Sequence, residues 1–484
     1  MRIAVIGSGP SGWSATRTLT RLGHDVTVID SALIESDPIE NKRLKTVSTL
    51  NRKLYFGSDL PYRNFPFGPS LDSQEVNPIF SFARGGLSLV WGATMLPYCE
   101  EDTTGWPFDI STLANRFLEL SKQIPITGAR DGLSSTYGDI YSRRGILPSS
   151  RIVRILENAE KIKVPEFQIG LSRLAVETGT HDVDGCVYCN KCITGCPSNF
   201  IWNTKDLNFD TKYIKLRVTK LKELTSGIDI EAVDLHGKSY TLNSFEKVFL
   251  ASGPLESFRI LASSKIVNDK GILKDSATFF LPLLALPKLG KLHQNSFGLS
   301  QVFIRLNKNE LNTASQYQLY EYSEDLIVRA KKALSFGSLI PNSILRFFLK
   351  RMLVAIGYLD GANSPSIQMR LLEDGTLLST LEITGKSFTE RNQSVKLSIK
   401  RLSTYVRKCG LLPIPFLTQI AVPGEGVHFG SWLPMGVKSD LLGRPTGSKN
   451  IHVVDSSVLP TIAPGPITFT VMANAMRIAE EAVK

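Results

Sequence analysis

Arg2-Ile3-Ala4-Val5-Ile6-Gly7-Ser8-Gly9-Pro10-Ser11-Gly12 opens the chain and decides how it folds. The β-branched run reads as a buried strand. The G-x-G-x-x-G pattern behind it reads as a turn into a helix carried by Leu19 and Leu22. Gly7, Gly9 and Gly12 permit the tight bend, let the backbone approach a pyrophosphate and allow close helix–strand packing. The helix start at Pro10 and Ser11 adds free amides and a partial positive charge. A second strand, Asp25-Val26-Thr27-Val28-Ile29-Asp30, ends in an acid at the spacing expected of the carboxylate that accepts ribose hydroxyls. A glycine turn alone is weak evidence; strand, turn, helix and spaced acid together predict dinucleotide binding.

Two later pieces choose between dinucleotides. Lys247-Val248-Phe249-Leu250-Ala251-Ser252-Gly253-Pro254 is another apolar strand with a glycine turn, and Asn450-Ile451-His452-Val453-Val454-Asp455 is a late strand ending in an acid. A C-terminal helix through Met472, Met476 and Ile478 follows Pro460, and its N-terminus, after Pro466 and Ile467, is expected to face the isoalloxazine end of a flavin. FAD-binding folds use all three pieces, so FAD is the expected cofactor, held also by Gly253 and Asp455.

Outward from this frame, 484 residues with 42% hydrophobic content bury a large core and split into two or three domains. A net charge of +11 admits an acidic partner, a phosphorylated substrate, nucleic acid or an anionic membrane. No zinc-finger, helix-turn-helix or aromatic RNA-binding pattern accompanies it, so no nucleic-acid partner is expected. The stretch 344–356, preceded by Arg329, Lys331 and Lys332, reads as a basic amphipathic helix too short to span a bilayer. It is a candidate for peripheral membrane contact; the plainer alternative is a lid or domain helix. With no secretory signal or acyl-anchor motif before Arg2, the expected location is the cytoplasm, with association at the inner face of the membrane through that helix.

Cys186, Cys189, Cys192 and Cys196-Pro197 follow the C-x2-C-x2-C-x3-C-P spacing of iron–sulfur ligation, with Gly185, Gly195 and Ser198 letting the backbone curl. A 4Fe-4S cluster is the first expectation and a 3Fe-4S cluster on three thiols the fallback. Cys99 or Cys409 are the alternative ligands, and a structural zinc knuckle or a metal-free loop are the competing readings.

Taken jointly, several segments resemble the glucose-methanol-choline (GMC) oxidoreductases over most of the chain. They are the glycine turn, Arg84-Gly85-Gly86-Leu87-Ser88-Leu89-Val90-Trp91-Gly92, Trp106–Ile110, Ala251–Ser257, His428–Gly436 and Val454–Pro460. The resemblance implies an α/β fold: a GMC-type Rossmann-like FAD domain, an antiparallel-sheet substrate domain and a cysteine-rich cluster loop. Segments 1–115, 205–275 and 420–484 would form the first, 116–181 and 276–419 the second, and 182–204 the loop. It also implies that Arg84, Gly86, Ser88 and Trp91 cover the flavin and that His428 takes the proton from a substrate alcohol. The alternative for His428 is a core histidine; His24, His181, His236 and His293 carry no motif. The family's second histidine or asparagine falls here on Gly465 or Pro466, so either Trp432, Thr468 or a substrate-domain residue partners His428, or the reaction differs from simple alcohol oxidation.

From about Phe279 to Leu417 the pattern changes. Ser366–Leu371 and Leu378–Ile383 flank Glu373-Asp374-Gly375 as a hairpin, and a helix runs from Val395 to Val406, giving a sheet roofed over the flavin. The expected activity is an FAD- and iron–sulfur-dependent dehydrogenase. It would oxidise an alcohol on a sugar or glycoside by hydride transfer to flavin N5 and pass electrons to an external acceptor. The alternatives are an oxygen-using oxidase with structural zinc and a non-catalytic electron-transfer flavoprotein.

Overall fold

A computed structural model describes residues 1–37, 59–181, 183–192, 196–205, 211–290, 297–308, 314–321, 339–382 and 385–484. Gly195, Asp206, Leu207, His293, Arg329, Lys331, Lys332 and Ile383 lie outside the described residues.

Arg2–Ile6 is buried on both faces beyond its first residue, as expected of a strand between parallel neighbours. It lies at the centre of a five-stranded parallel sheet ordered Ile451–Val453, Lys247–Leu250, Arg2–Ile6, Asp25–Asp30, Lys212–Lys215. Segments from three distant parts of the sequence thus share one sheet, and the helices Pro10–Arg21 and Thr468–Ala482 pack together against it. An antiparallel meander, Arg217–Leu224, Gly227–Val233 and Ser239–Phe245, joins the same core through Val218, Ile230 and Phe245.

The roof is a seven-stranded antiparallel sheet. Its main path runs Leu411–Pro413, Thr278–Ala285, Met352–Leu359, Ser315–Tyr320, Val302–Leu306, Phe167–Leu171, with Gln419–Ile420 also paired to Thr278–Ala285. Ile152 and Ile155 of helix Ser150–Ala159, and Val395, Ile399 and Leu402 of helix Phe388–Val406, close its outer face. The longer helix starts on a capping box in which Ser387 and Glu390 each bond the other's backbone amide.

Two expectations need correction. The hairpin forms, with Ile367–Leu371 against Leu377–Leu381, but it is not part of the roof. It adds to Lys270–Asp275 in a separate sheet, and Leu273, Ile367, Met369 and Leu377 bury into the core of the parallel-sheet unit. The apolar face of a two-stranded ribbon must be covered, and nothing local in the sequence says by what. The second correction concerns 344–356: the helix covers only Asn342–Leu349. Met352–Leu359 is a central strand of the roof, its buried positions alternating through Leu353 and Ala355 while both edges pair with neighbours. Two full ladders of backbone hydrogen bonds outweigh the helical periodicity of a short apolar run.

Candidate active site

Where the strands Arg2–Ile6 and Lys247–Leu250 end, the chain leaves a cleft of about 980 Å³, counted out to its open mouth. Gly7, Gly9, Pro10 and Ser11 form one wall, Asp30 stands at the end of the second strand, and Gly86 and Gly253 lie across from them. Gly7 has φ +107°, and a Cβ there would sit 2.4 Å from the Ala251 carbonyl oxygen; a Cβ on Gly12 would sit 2.0 Å from the Gly7 carbonyl oxygen. Gly12 is therefore packed behind the turn rather than open to the cleft. The helices Pro10–Arg21 and Pro254–Ser263 both start at the cleft without a side-chain cap, leaving amides free for an anion.

Asp30 accepts the Ser8 amide at 2.6 Å and the Ala32 amide at 2.5 Å, which fixes its carboxylate at the rim. Burial pushes its carboxyl up, more than these amides and the nearby Arg84 charge pull it down. On the far wall, burial alone would raise Glu256 too, but the buried guanidinium groups of Arg217, at 2.7 Å, and Arg259 hold it below its ordinary range. Both Glu256 oxygens are thus spent on arginines, and the cleft pairs an anion-accepting turn with one carboxylate, Asp30, at its rim, the groups a dinucleotide needs.

The loop at 84–92 is held over the turn by groups the sequence reading did not single out. The Gly85 amide donates to the Ser8 hydroxyl at 3.0 Å, and Thr204 donates its hydroxyl to the Ser8 carbonyl at 2.8 Å and its amide to Ser88 Oγ at 3.2 Å. Ser88 spends its own proton on the Gly85 carbonyl at 2.7 Å, and Trp91 donates Nε1–H to the Trp202 carbonyl at 3.1 Å. Arg84 lies over the ring of Tyr213, 4.9 Å from its centroid. Ser88 and Trp91 therefore shape the loop, while Gly86 and Leu87 are its contribution to the cleft wall. Asp455 is turned away from the opening: it accepts Ser257 Oγ at 2.5 Å and the Ser457 amide at 2.9 Å, bracing the turn before Pro254–Ser263. Pro466 is buried and Ile467 is the residue preceding the C-terminal helix, which has no side-chain cap.

His428 lies under the roof, its ring centroid 4.7 Å from that of Tyr358. Its Nδ1 is sealed without a partner, and burial lowers its pKa to about 4. The residue before it, Val427, has φ +55°, a left-handed conformation that a β-branched side chain resists and that the fold imposes while orienting the histidine. The register places Gln316 beside Tyr358 across the roof strands, and alternation puts Gln318 and Tyr320 on the same face. That face looks onto two glycines: a Cβ on Gly92 would lie 3.1 Å from Tyr320 Oη, and one on Gly465 would lie 2.5 Å from Gln316 Oε1. Trp432, by contrast, packs edge-on against Phe258 in the core of the parallel-sheet unit, and Thr468 is the first helical residue after the 465–467 turn.

The roof residues were missed for a physical reason. Gln316-Tyr317-Gln318-Leu319-Tyr320 alternates like a strand with one wet face, yet Gln316 is 1% and Gln318 2% exposed. Alternation distinguishes two faces of a strand but does not say which of them meets water.

Among the described residues, no group of three or more His, Cys, Asp or Glu side chains is gathered to hold a metal. All six cysteines are free, and Cys189 is exposed. The four thiols of the run are nonetheless close enough that the charges of Cys189 and Cys196 bear on both Cys186 and Cys192. Backbone amides point at three of the sulfurs: Tyr188 at Cys186, Gly298 at Cys192, and Phe200 at Cys196 at 3.3 Å. The donor chemistry suits a thiolate-ligated centre, while the sulfurs are not drawn together at coordination distance.

No protein-family model matches the chain, and no curated protein matches it. Among solved structures, pyridoxine 4-oxidase from Mesorbium loti superposes with a TM-score of 0.61 over 99% of this chain and 98% of that one. The chain has the fold of pyridoxine 4-oxidase. Sequence identity is 14%, so the likeness to pyridoxine 4-oxidase is one of architecture from end to end.

Proposed function

We propose that this chain is an FAD-dependent oxidoreductase of the GMC type that oxidises an alcohol carbon on a sugar or glycoside. One observation carries the reading: the anion-accepting turn with Asp30 at its rim and the polar roof over His428 occur in one fold shared with an enzyme named as an oxidase of pyridoxine. In this reading Gly7, Gly9, Pro10 and Ser11 take the pyrophosphate, Gly12 lets the helix approach and Asp30 accepts ribose hydroxyls. Gly86 and Gly253 admit the cofactor's backbone, and Arg84, Ser88, Trp91, Asp455, Pro466 and Ile467 hold the surrounding loops in place. FAD, when bound, supplies the two-electron acceptor. His428 takes the hydroxyl proton at Nε2, the nitrogen opposite its sealed Nδ1. Gln316, Gln318, Tyr320 and Tyr358 offer carboxamides and phenols to a polyhydroxylated substrate, and their burial keeps bulk water out.

Cys186, Cys189, Cys192 and Cys196 are proposed to hold an iron–sulfur cluster, which would export single electrons to an external acceptor. Iron and acid-labile sulfide analysis of anaerobically purified protein should give roughly four of each per chain. Zinc without sulfide would leave the oxidase reading, which the neighbour's name favours, with oxygen as acceptor. Flavin extraction with visible spectroscopy tests the main proposal: protein that neither carries nor takes up FAD rules it out.

Segments 1–115, 205–275 and 420–484 are proposed as the FAD domain, 116–181 and 276–419 as the substrate domain, and 182–204 as the cluster loop. The hairpin at 367–381 is an exception, since it packs with the parallel-sheet unit. No helix among the described residues is long and apolar enough to cross a membrane. Leu339, Phe347 and Phe348 are 78, 70 and 62% exposed beside Lys350 and Arg351, and we propose that this patch rests on the anionic inner face of the membrane from the cytoplasm. Co-sedimentation with phosphatidylserine vesicles is expected, and the double variant Phe347→Ser/Phe348→Ser should lose it; equal sedimentation of both proteins rejects the contact.

A further inference from the structure

The roof contains a polar group with nothing to bond. Gln316 is 1% exposed, and its Oε1 has no hydrogen-bond partner, although an unpaired buried carboxamide is costly and such groups are rare. It is not stranded by a poor fit elsewhere. Its strand pairs in regular register on both sides, and that register sets it beside Tyr358, whose ring lies against His428. Away from its own sheet it meets Gly465, where any side chain would collide with it: a Cβ at 465 would stand 2.5 Å from Oε1 and 3.8 Å from Nε2. The carboxamide therefore takes the place that a side chain at 465 would fill, on the same roof face as Tyr358, whose ring lies against His428. His428 Nδ1 is likewise buried without a partner.

We propose that Gln316 is a substrate-binding residue that grips a vicinal diol, so that the preferred substrates are those carrying two adjacent hydroxyls. A carboxamide has one acceptor end and one donor end. Its NH2 donates to the oxygen of the hydroxyl that faces His428, and its Oε1 accepts from the neighbouring hydroxyl. A mono-alcohol fills only the first position and leaves Oε1 buried and unpaired, which is how a site rejects an analogue lacking one hydroxyl. The proposal rests on the flavoenzyme reading of the site and names its substrate class.

The test uses FAD-loaded full-length protein, with flavin content measured first so that failure of the flavoenzyme reading shows as absent flavin. Under anaerobic conditions glycerol, myo-inositol, D-glucose and D-mannose are titrated against 1-propanol and benzyl alcohol while the flavin spectrum is followed. At least one diol-bearing probe is expected to perturb or bleach the flavin at concentrations at least tenfold below the mono-alcohols. Gln316→Leu should erase that preference, raising the half-saturating concentration of the diol at least tenfold more than that of the mono-alcohols, which lose only the NH2 contact. Because the substitution removes an orphaned polar group, the apo-protein's Tm should be unchanged or higher, a readout independent of turnover. Gly465→Ala should lower the apo-protein's Tm, and Gln316→Ala in the same chain should restore it, since the two positions compete for one space. Flavin-loaded protein that prefers mono-alcohols, responds to no diol, or keeps its preference in Gln316→Leu overturns the proposal.

Discussion

Replacing His428 by alanine is expected to leave FAD bound and to slow anaerobic bleaching of the flavin by an alcohol about 10²- to 10⁴-fold, the range for losing a positioned general base. The histidine lies under the roof rather than among the residues lining the cleft proposed for FAD, so cofactor content should not follow activity. Its acidity adds a second signature. An ordinary imidazole titrates near pH 6.5 and a base must be neutral to act, so the rate would usually fall as the pH drops through that value. Burial lowers the His428 pKa to about 4, which moves the acid limb of the rate profile down to that region and keeps the wild-type rate flat from pH 7 to about 5. Stopped-flow reduction across that range reads both effects. A variant that bleaches at the wild-type rate would remove His428 from the chemistry.

Alanine at Gly7 should be the most damaging small change in the proposed cofactor cleft. The residue holds φ +107°, which costs an L side chain energy before any contact is counted, and the added carbon would stand 2.4 Å from the Ala251 carbonyl oxygen. The obstacle is backbone of the neighbouring parallel strand's extension, which pairs with the first strand and has no flexible end to swing aside. The turn must open, and the free amides of helix Pro10–Arg21 lose their aim. A destabilisation on the order of 4 kcal/mol, at the upper end for single substitutions, is expected together with loss of bound flavin. Thermal unfolding and the ratio of flavin to protein absorbance measure the two independently. Stoichiometric flavin in a well-folded Gly7→Ala protein would show that the turn is not the pyrophosphate cradle.

The two positions differ in how much of their environment the sequence carries. Gly7 is surrounded by residues near it in sequence or on an adjacent strand, and the strand–turn–helix pattern states its geometry almost completely. His428 is different. A motif draws attention to it, yet what lies against it, Tyr358, comes from a strand seventy residues away whose segment reads as part of a helix in the sequence. Thr204 belongs to the same class: three of its hydrogen bonds tie together residues 8, 85 and 88, and nothing adjacent to it in the chain announces that role.

Local order supplied the parallel-sheet unit and its glycine turn: glycine spacing, β-branched runs and a spaced acid are short-range facts that a single strand–turn–helix unit expresses by itself. Tertiary structure alone decided the rest. It turned Asp455 and Ser88 inward to brace loops, sent the hairpin to the other core, shortened the basic helix to Asn342–Leu349, and sealed the polar face of Gln316, Gln318 and Tyr320 above His428. The reason is that period and propensity fix which residues share a face, whereas the partner covering that face is chosen by long-range packing, and burial acquires its chemical meaning only once that partner is in place.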